Sequence, residues 1–252
     1  MNPRGGSWRG RVLWSAIVVG AALVGGVSPA EAVLTTPTCL AKKLHEWGRL
    51  RKCQATENGK TLQAQPADPA KCQTRFDAKL ATLSAQAKAA AVPCRYGVNG
   101  DGTATDYDTG LQWEQKTNDG GVHDEENVYA WSSTLGRPDG TAFTSFLGTL
   151  NDGRSSDGTT SSGCFAGHCD WRLPSIVELR TIVDPTAPGC GGGGACIDQT
   201  VFGPTVAFFY WSATTDADFP VFAWGVVFGA DGRLASAIED VPLFVRGVRS
   251  GL

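Results

Sequence analysis

The chain has 252 residues, of which 42% are hydrophobic and 19% charged, and this composition supplies a buried core and excludes a disordered protein. The 32 glycines follow no three-residue period, which excludes a collagen-like chain. There are 22 basic and 25 acidic residues, a net charge of −3, so the concentrated basic charge that nucleic acids attract is missing. We expect no nucleic-acid partner.

Residues 1–32 have the pattern of a secretory signal peptide. Three arginines precede an apolar run over residues 12–27, and Ala30-Glu31-Ala32 has the small residues that signal peptidase recognises. The run is shorter than the roughly 20 residues that a transmembrane helix requires. We predict cleavage between Ala32 and Val33 and an exported mature chain without a transmembrane segment, located in the periplasm, on the cell surface or outside the cell.

Residues 33–94 are predicted to form a helical hairpin. Apolar residues recur at every third or fourth position on either side of a break at residues 57–69. An antiparallel pair of helices places Cys53 beside Cys72 near the turn. The same arrangement brings Cys39 and Cys94 together at the open end. We predict both disulfides, because a hairpin this small needs cross-links to be stable.

Two more disulfides are predicted in the loops that follow. Cys164 and Cys169 close a loop rich in glycine, serine and aspartate, and Cys190 and Cys196 enclose four consecutive glycines. The eight cysteines are even in number and all follow the predicted leader, as expected of an exported protein with disulfides.

From Arg95 onward, turns and β-branched or aromatic residues dominate. Asn99-Gly-Asp-Gly102 predicts a hairpin turn, and Ser175-Ile-Val-Glu178 has the pattern of a helix capping box. A second helix is predicted from Phe143, Phe146, Leu147 and Leu150. Strands are predicted over Phe208–Ala213, Val221–Phe228, Leu234–Ile238 and Leu243–Val248.

Three aspartates near the hairpin turn, Asp101, Asp106 and Asp108, are candidate calcium ligands. They lack the remaining positions of an EF-hand loop and its closing glutamate. We therefore expect no cofactor, with calcium at these residues as the alternative.

Aromatic residues alternate along the later strands at Trp211, Phe222, Trp224 and Phe228. Aromatic side chains at this period usually pack into the core of a sheet. The alternative is a platform on which sugar rings stack.

Several motifs in order resemble the C-terminal domain of the Legionella collagen-like protein (Lcl), a family of exported bacterial modules. They are Asn99–Asp106, Thr109–Trp113, Asp170-Trp-Arg-Leu-Pro-Ser175 with Glu178, Tyr210-Trp-Ser212, Ala223-Trp224 and Val245–Arg249. The resemblance covers residues 95–250. It implies an α+β fold of the C-type-lectin-like kind, with small twisted antiparallel sheets and two helices, here over residues 95–252 and preceded by the disulfide-stapled α-helical hairpin.

Within the resemblance, we expect Asp170 and Arg172 to form a buried ion pair beside Trp171, in a corner that enters a helix through Pro174. Arg246 and Arg249 are expected to pair with acidic side chains in the same way. We assign structural rather than ligand-binding roles to Asp170, Trp171, Arg172, Pro174, Glu178, Trp211, Trp224 and Arg246.

The resemblance implies a recognition or adhesion module that binds an extracellular glycan or protein. We expect the ligand surface in the loops 114–140, 151–169 and 185–200, because binding residues are concentrated on loops held by a rigid scaffold. The alternative is an enzyme, since the formylglycine-generating enzymes share the lectin-like architecture. The chain has three histidines and none of the common hydrolase or nucleotide-binding motifs, so we expect no enzymatic activity.

Overall fold

The computed structural model describes residues 34–152, 163–229 and 231–252. The predicted leader and the cleavage site between Ala32 and Val33 lie outside the described residues, as do part of the loop 151–169 and Ala230. Leu34–Leu252 forms a single unit of contacts, in which the hairpin packs against the β-rich residues. Among the described residues, no helix combines the length and the apolar character that crossing a membrane requires.

The predicted hairpin is formed by helices α1 (Thr36–Leu62) and α2 (Ala70–Ala89). Leu50, Phe76 and Leu80 are buried between them, with Trp47 packed edge-on against Phe76. Helix α1 continues past the expected break because buried Glu57 stabilises its last turns. The Glu57 carboxylate pairs with Lys60 and Lys71, each at 2.8 Å.

The first half of α1 holds the hairpin against the β-rich residues. Buried Lys43 pairs with Asp108, and Trp47 Nε1 donates to the carbonyl oxygen of Tyr107 at 3.0 Å. The Trp47 ring also covers Gly110, which has φ +74° and where a Cβ atom would lie 2.5 Å from the ring. Glycine is therefore required at position 110 by both its conformation and the close ring.

All four predicted disulfides are present. Cys39–Cys94 and Cys53–Cys72 join the two ends of the hairpin, and Cys164–Cys169 and Cys190–Cys196 close two loops.

A four-stranded antiparallel sheet brings together the two ends of the β-rich part. Its strands are paired in the order β1-β2-β3-β9, and the hairpin predicted at Asn99–Gly102 joins the first two. The strands are β1 (Tyr96–Val98), β2 (Thr103–Asp106), β3 (Leu111–Glu114) and β9 (Val248–Ser250).

The second sheet has five strands in the order β4-β8-β5-β6-β7. Its β5–β8 pair is parallel, so the expectation of antiparallel sheets is wrong at this pair. The strand predicted over 243–248 is divided between the two sheets, because residues 245–247, which include the buried Arg246, are not paired in a strand. The strands are β4 (Val128–Tyr129), β5 (Phe209–Thr215), β6 (Phe222–Val227), β7 (Arg233–Ile238) and β8 (Leu243–Phe244).

Both helices predicted after residue 94 are present. The first has a π-helical segment, Ala142–Leu147, and continues as α3 (Gly148–Asp152). The second, α4 (Ile176–Thr181), begins with the expected capping box, in which Ser175 and Glu178 bond to each other's backbone. Two short helical turns were not predicted, a 3₁₀ turn at Phe165–Gly167 and α5 (Gln199–Phe202), since neither is long enough to show a helical period.

The five-stranded sheet separates two hydrophobic cores. Tyr210 and Val226 face one core, which contains Trp113 and Leu179 from the other elements. Trp211 and Ala223 face the second, which contains Trp131, Phe146 and Trp171. Neighbouring residues of β5 enter opposite cores because successive side chains of a strand point to opposite faces.

Candidate functional site

The Asp-Trp-Arg-Leu-Pro motif does not contain the expected ion pair. Arg172 pairs with Glu178 through two hydrogen bonds of 2.8 and 2.7 Å, and Asp170 pairs with Arg249 at 2.7 Å. The Asp170 side chain is 56% exposed and that of Arg172 43%. The prediction of a buried Asp170–Arg172 pair is therefore wrong, because the carboxylate of Glu178 is already held in front of Arg172 by Ser175.

Trp171 anchors the motif in the second hydrophobic core. Its side chain is buried, and its indole Nε1 donates to the carbonyl oxygen of Phe165 at 2.9 Å. Asn151 accepts from the Trp171 backbone N–H and donates to its carbonyl, each at 2.8 Å. Pro174 leads from this corner to the N-terminus of α4 and accepts from Ala213 N at 2.7 Å.

Arg246 and Arg249 differ in their partners. Arg249 pairs with an acidic side chain, that of Asp170, as we expected. Arg246 is fully buried and instead donates to the carbonyl oxygens of Glu114 and Phe202 and to Thr205 Oγ1, at 2.7–2.8 Å. The expectation of an acidic side-chain partner for Arg246 is wrong, because two backbone carbonyl groups occupy its Nη1 and the Thr205 hydroxyl group occupies its Nη2.

A buried charged cluster that the sequence analysis missed lies beside Arg246. The Glu114 carboxylate accepts from Lys116 at 3.0 Å, from the backbone N–H of Gly247 at 2.8 Å, and contacts His123 Nδ1 at 2.8 Å. Burial opposes ionisation of Glu114, but Lys116, His123 and the Gly247 N–H outweigh it and lower its pKa to about 2. Burial lowers the pKa values of Lys116 and Arg246. The only signal in the sequence is that the acid at the end of β3, Glu114, is followed two residues later by the base Lys116.

The side chains of this cluster also pack against aromatic rings of the protein. The His123 ring packs on the Phe165 ring, 4.1 Å between centroids, and the Lys116 ammonium lies 4.8 Å from the centre of the Phe146 ring. Because these contacts already use the polar groups, the cluster links β3 to Arg246 and Gly247 and does not present these groups to a ligand.

The three candidate calcium ligands contact different partners. Asp106 pairs with Arg95 at 2.8 Å, Asp108 pairs with Lys43, and Asp101 accepts from the Thr103 backbone N–H at 3.1 Å. Within residues 34–152, 163–229 and 231–252, side chains of His, Cys, Asp and Glu do not gather in a group of three or more that could hold a metal ion.

In the loops where we expected the ligand surface, several carboxylates bond to the loop backbone. Asp119 accepts from Gly121 N and Asp124 from Gly120 N, at 2.8 and 2.7 Å. Asp139 accepts from Ser133 N at 2.8 Å, and that bond, with hydroxyl groups nearby, lowers its pKa to about 2. These carboxylates fix the loop conformation, as in Asx turns.

The aromatic residues of the later strands divide into buried and accessible ones. Trp211 and Phe228 are fully buried, as predicted for core residues. Phe222 and Trp224 are only partly buried on β6, and the Phe219 ring, 61% exposed, lies 6.0 Å from that of Phe222.

These rings form one surface with the edge strand β7. In the register of β6 and β7, Phe222 is opposite Ile238 and Val226 is opposite Leu234, so these side chains share a face. Ala235 and Ala237, on the other face, pack against the second core. The aromatic face is defined here as Phe219, Phe222, Trp224, Leu234 and Ile238.

A comparison with protein families agrees with these motifs. The model of the Lcl C-terminal domain matches residues 102–249, more than half of the chain. The chain belongs to the Lcl C-terminal domain family. The Lcl domain includes Arg246, the Asp170–Glu178 corner and the aromatic face, whereas the helical hairpin precedes the matched residues. Searches of curated proteins and of solved structures give no match.

Proposed function

We propose that this chain is an exported bacterial recognition module whose Lcl domain binds carbohydrate through the aromatic face. The observation that carries the proposal is that Phe222 and Trp224 share one face of β6 and are partly exposed, and that the exposed Phe219 ring lies 6.0 Å from the Phe222 ring. The rings offer flat apolar surfaces, which suit the apolar face of a pyranose ring. Grouped exposed apolar side chains commonly mark a binding surface.

The surroundings of this face favour a neutral sugar over an anionic one. Residues 95–252 have nine basic and 20 acidic residues, and Asp218 and Asp240 are exposed near the ends of β6 and β7. Carboxylates accept hydrogen bonds from sugar hydroxyl groups, but they repel sulfate and uronate groups.

Export and the lectin-like fold are part of the proposal. Four disulfides suit an oxidising compartment, whether the periplasm, the cell surface or the medium. The C-type-lectin-like fold is supported by two small sheets, by pairing of the last strand with the third, and by two disulfide-closed loops.

The alternative, an enzyme on a scaffold like that of the formylglycine-generating enzymes, has less support. All eight cysteines are in disulfides, which leaves no thiolate nucleophile. His123 contacts Glu114, and the low pKa of that carboxylate makes it a poor general base.

A glycan array tests the proposal, with the chain exported to an oxidising periplasm so that its disulfides form. We expect the chain to bind neutral glycans, with the same pattern in calcium and in a chelator. Phe219→Ser with Trp224→Ser should remove the signal. Val98→Ser with Val177→Ser, at exposed sites on β1 and α4, is the matched control and should keep it. Binding that survives in the aromatic variant, or binding to protein ligands alone, would contradict the proposal.

A further inference from the structure

The hairpin and the Lcl domain have opposite charge. Residues 34–94 have ten lysines and arginines and four acidic residues, a net charge of +6, whereas residues 95–252 have a net charge of −11. Some of these basic residues have acidic partners. Lys43 pairs with Asp108 of the Lcl domain, and Lys60 and Lys71 pair with Glu57. The remaining cations of α1 and α2 are exposed.

Four of these exposed cations surround a groove between the two helices. The groove has a volume of about 460 Å³, and its floor is made of Leu50, Phe76 and the Cys53–Cys72 disulfide. The residues along its rim are Arg49, Lys52, Arg75 and Lys79, with Glu46 as the one acid that lines it. A second hollow of about 480 Å³, which shares Glu46 and Lys79, continues the groove toward Leu83.

An apolar floor is expected in a hairpin of two helices. One layer of side chains fills the space between them, and the groove lies directly over this layer. The 27 residues of α1 extend over roughly 40 Å, while its contacts with the Lcl domain involve Lys43 and Trp47 in its first half. A third helix in the groove would complete a small bundle.

We propose that this groove binds an amphipathic helix of a partner protein, one whose apolar stripe is flanked by aspartate and glutamate. The stripe would lie along the groove over its floor, where 6% of Leu50 and 5% of Phe76 remain exposed, and the acidic flanks would meet the four cations of the rim. A free anionic polymer would use the cations but not the apolar floor.

The same charges argue against a second copy of this chain as the occupant. Two hairpins packed groove to groove would bring their basic rims together. The helical segments described after residue 94 bury apolar side chains in the domain's own cores, among them Phe146, Leu179 and Phe202. The proposal does not depend on carbohydrate binding, because the groove and the aromatic face have no residue in common.

Fluorescence anisotropy with three labelled peptides tests the proposal on the full chain with its disulfides formed. The first peptide is an amphipathic helix with a leucine stripe flanked by glutamates. The second has the same composition in scrambled order, and the third has lysine in place of each glutamate. We expect the first to bind at least about tenfold more tightly than either control peptide, and more weakly as salt is raised.

Two charge-matched double variants locate the site. Arg49→Glu with Arg75→Glu changes the rim and should weaken binding of the first peptide about tenfold or more. Arg51→Glu with Lys88→Glu makes the same change of charge at exposed positions outside the groove and should have less than about a threefold effect.

Three outcomes would overturn the proposal. The first is no binding of the glutamate peptide at millimolar concentration. The second is equal loss in both double variants, which would indicate unspecific attraction. The third is equally tight binding of the scrambled peptide or of polyglutamate, which would indicate a site for anionic polymers.

Discussion

Arg246 donates a hydrogen bond of 2.8 Å to the backbone carbonyl oxygen of Glu114, and both residues are fully buried. The same guanidinium donates to the carbonyl oxygen of Phe202 and to the hydroxyl group of Thr205. The Glu114 carboxylate accepts from the N–H of Gly247. Three segments distant in the sequence therefore meet at one side chain, at the point where the chain passes from the five-stranded sheet to the four-stranded one.

Arg246→Met tests this junction. The variant keeps much of the side-chain volume but removes the donors from three buried acceptors, and we expect it to lower the free energy of unfolding by about 3–5 kcal/mol. Chemical denaturation measures the change. Arg233→Met on the exposed edge of β7 is the control and should stay within about 0.5 kcal/mol. Equal stability of the two variants would show that the Arg246 bonds contribute little.

Trp171 and Arg172 are neighbours with opposite burial, so their variants should differ in stability. Trp171→Ala leaves a cavity in the second core and should cost about 3–5 kcal/mol. Arg172→Ala breaks a half-exposed ion pair with Glu178, worth roughly 0.2–1 kcal/mol. Thermal unfolding of both variants checks the order, and a larger loss for Arg172→Ala would contradict it.

Acid should loosen the tip of the hairpin first through Glu57. Hydrogen bonds from Lys60, Lys71 and the Asp68 N–H lower the pKa of Glu57 from 4.5 to about 2. A carboxylate with a lowered pKa in the folded state stabilises it above pH 4.5, and this contribution is lost as the pH falls toward 2.

Glu57→Gln should therefore speed amide exchange near Asp68 at neutral pH and have no further effect near pH 2. Hydrogen exchange read by mass spectrometry provides the test. Asp77→Asn, an exposed change on α2, is the control. Unchanged protection at neutral pH in the Glu57 variant would refute the role of this carboxylate.

Glu239 should have the opposite dependence on pH. Its side chain is buried, Oε2 accepts from Gly136 N at 2.6 Å, and Oε1 has no hydrogen-bond partner among the described residues. Burial raises its pKa, so its contribution to stability is complete below the unfolded pKa and is lost as the pH rises through the folded value. We expect Glu239→Gln to be more stable than the parent at neutral pH and to lose that advantage in acid. Denaturation at both pH values tests this, and a less stable variant at neutral pH would contradict it.

Local patterns in the sequence predicted local structure well. The positions of the cysteines along the predicted hairpin were sufficient to predict Cys53–Cys72 and Cys39–Cys94, and the capping box located the start of α4. The pairing of Asp170 was not predictable in this way, since its partner Arg249 is 79 residues away and is brought near by the β9 strand.

The same limit applies to the candidate site. Alternation identified Trp211 and Trp224 as sheet residues, but it cannot tell which part of a sheet another element covers. Helix α4 packs on β5 and β6 while the edge strand β7 leaves Leu234 exposed, so Trp224 lies at the boundary of the core. We expected the ligand in the loops, but Asp119, Asp124 and Asp139 there accept hydrogen bonds from the loop backbone.

The most direct test of carbohydrate binding is calorimetric titration of the tightest glycan from the array into three proteins. These are the parent chain, Trp224→Ala and the loop variant Asp119→Ala. We predict that Trp224→Ala weakens binding about tenfold or more, because stacking area is lost, while Asp119→Ala binds as the parent does. Circular dichroism of each variant shows that it is folded. Parent-like binding by Trp224→Ala together with loss in Asp119→Ala would contradict the aromatic face and assign the ligand to the loops.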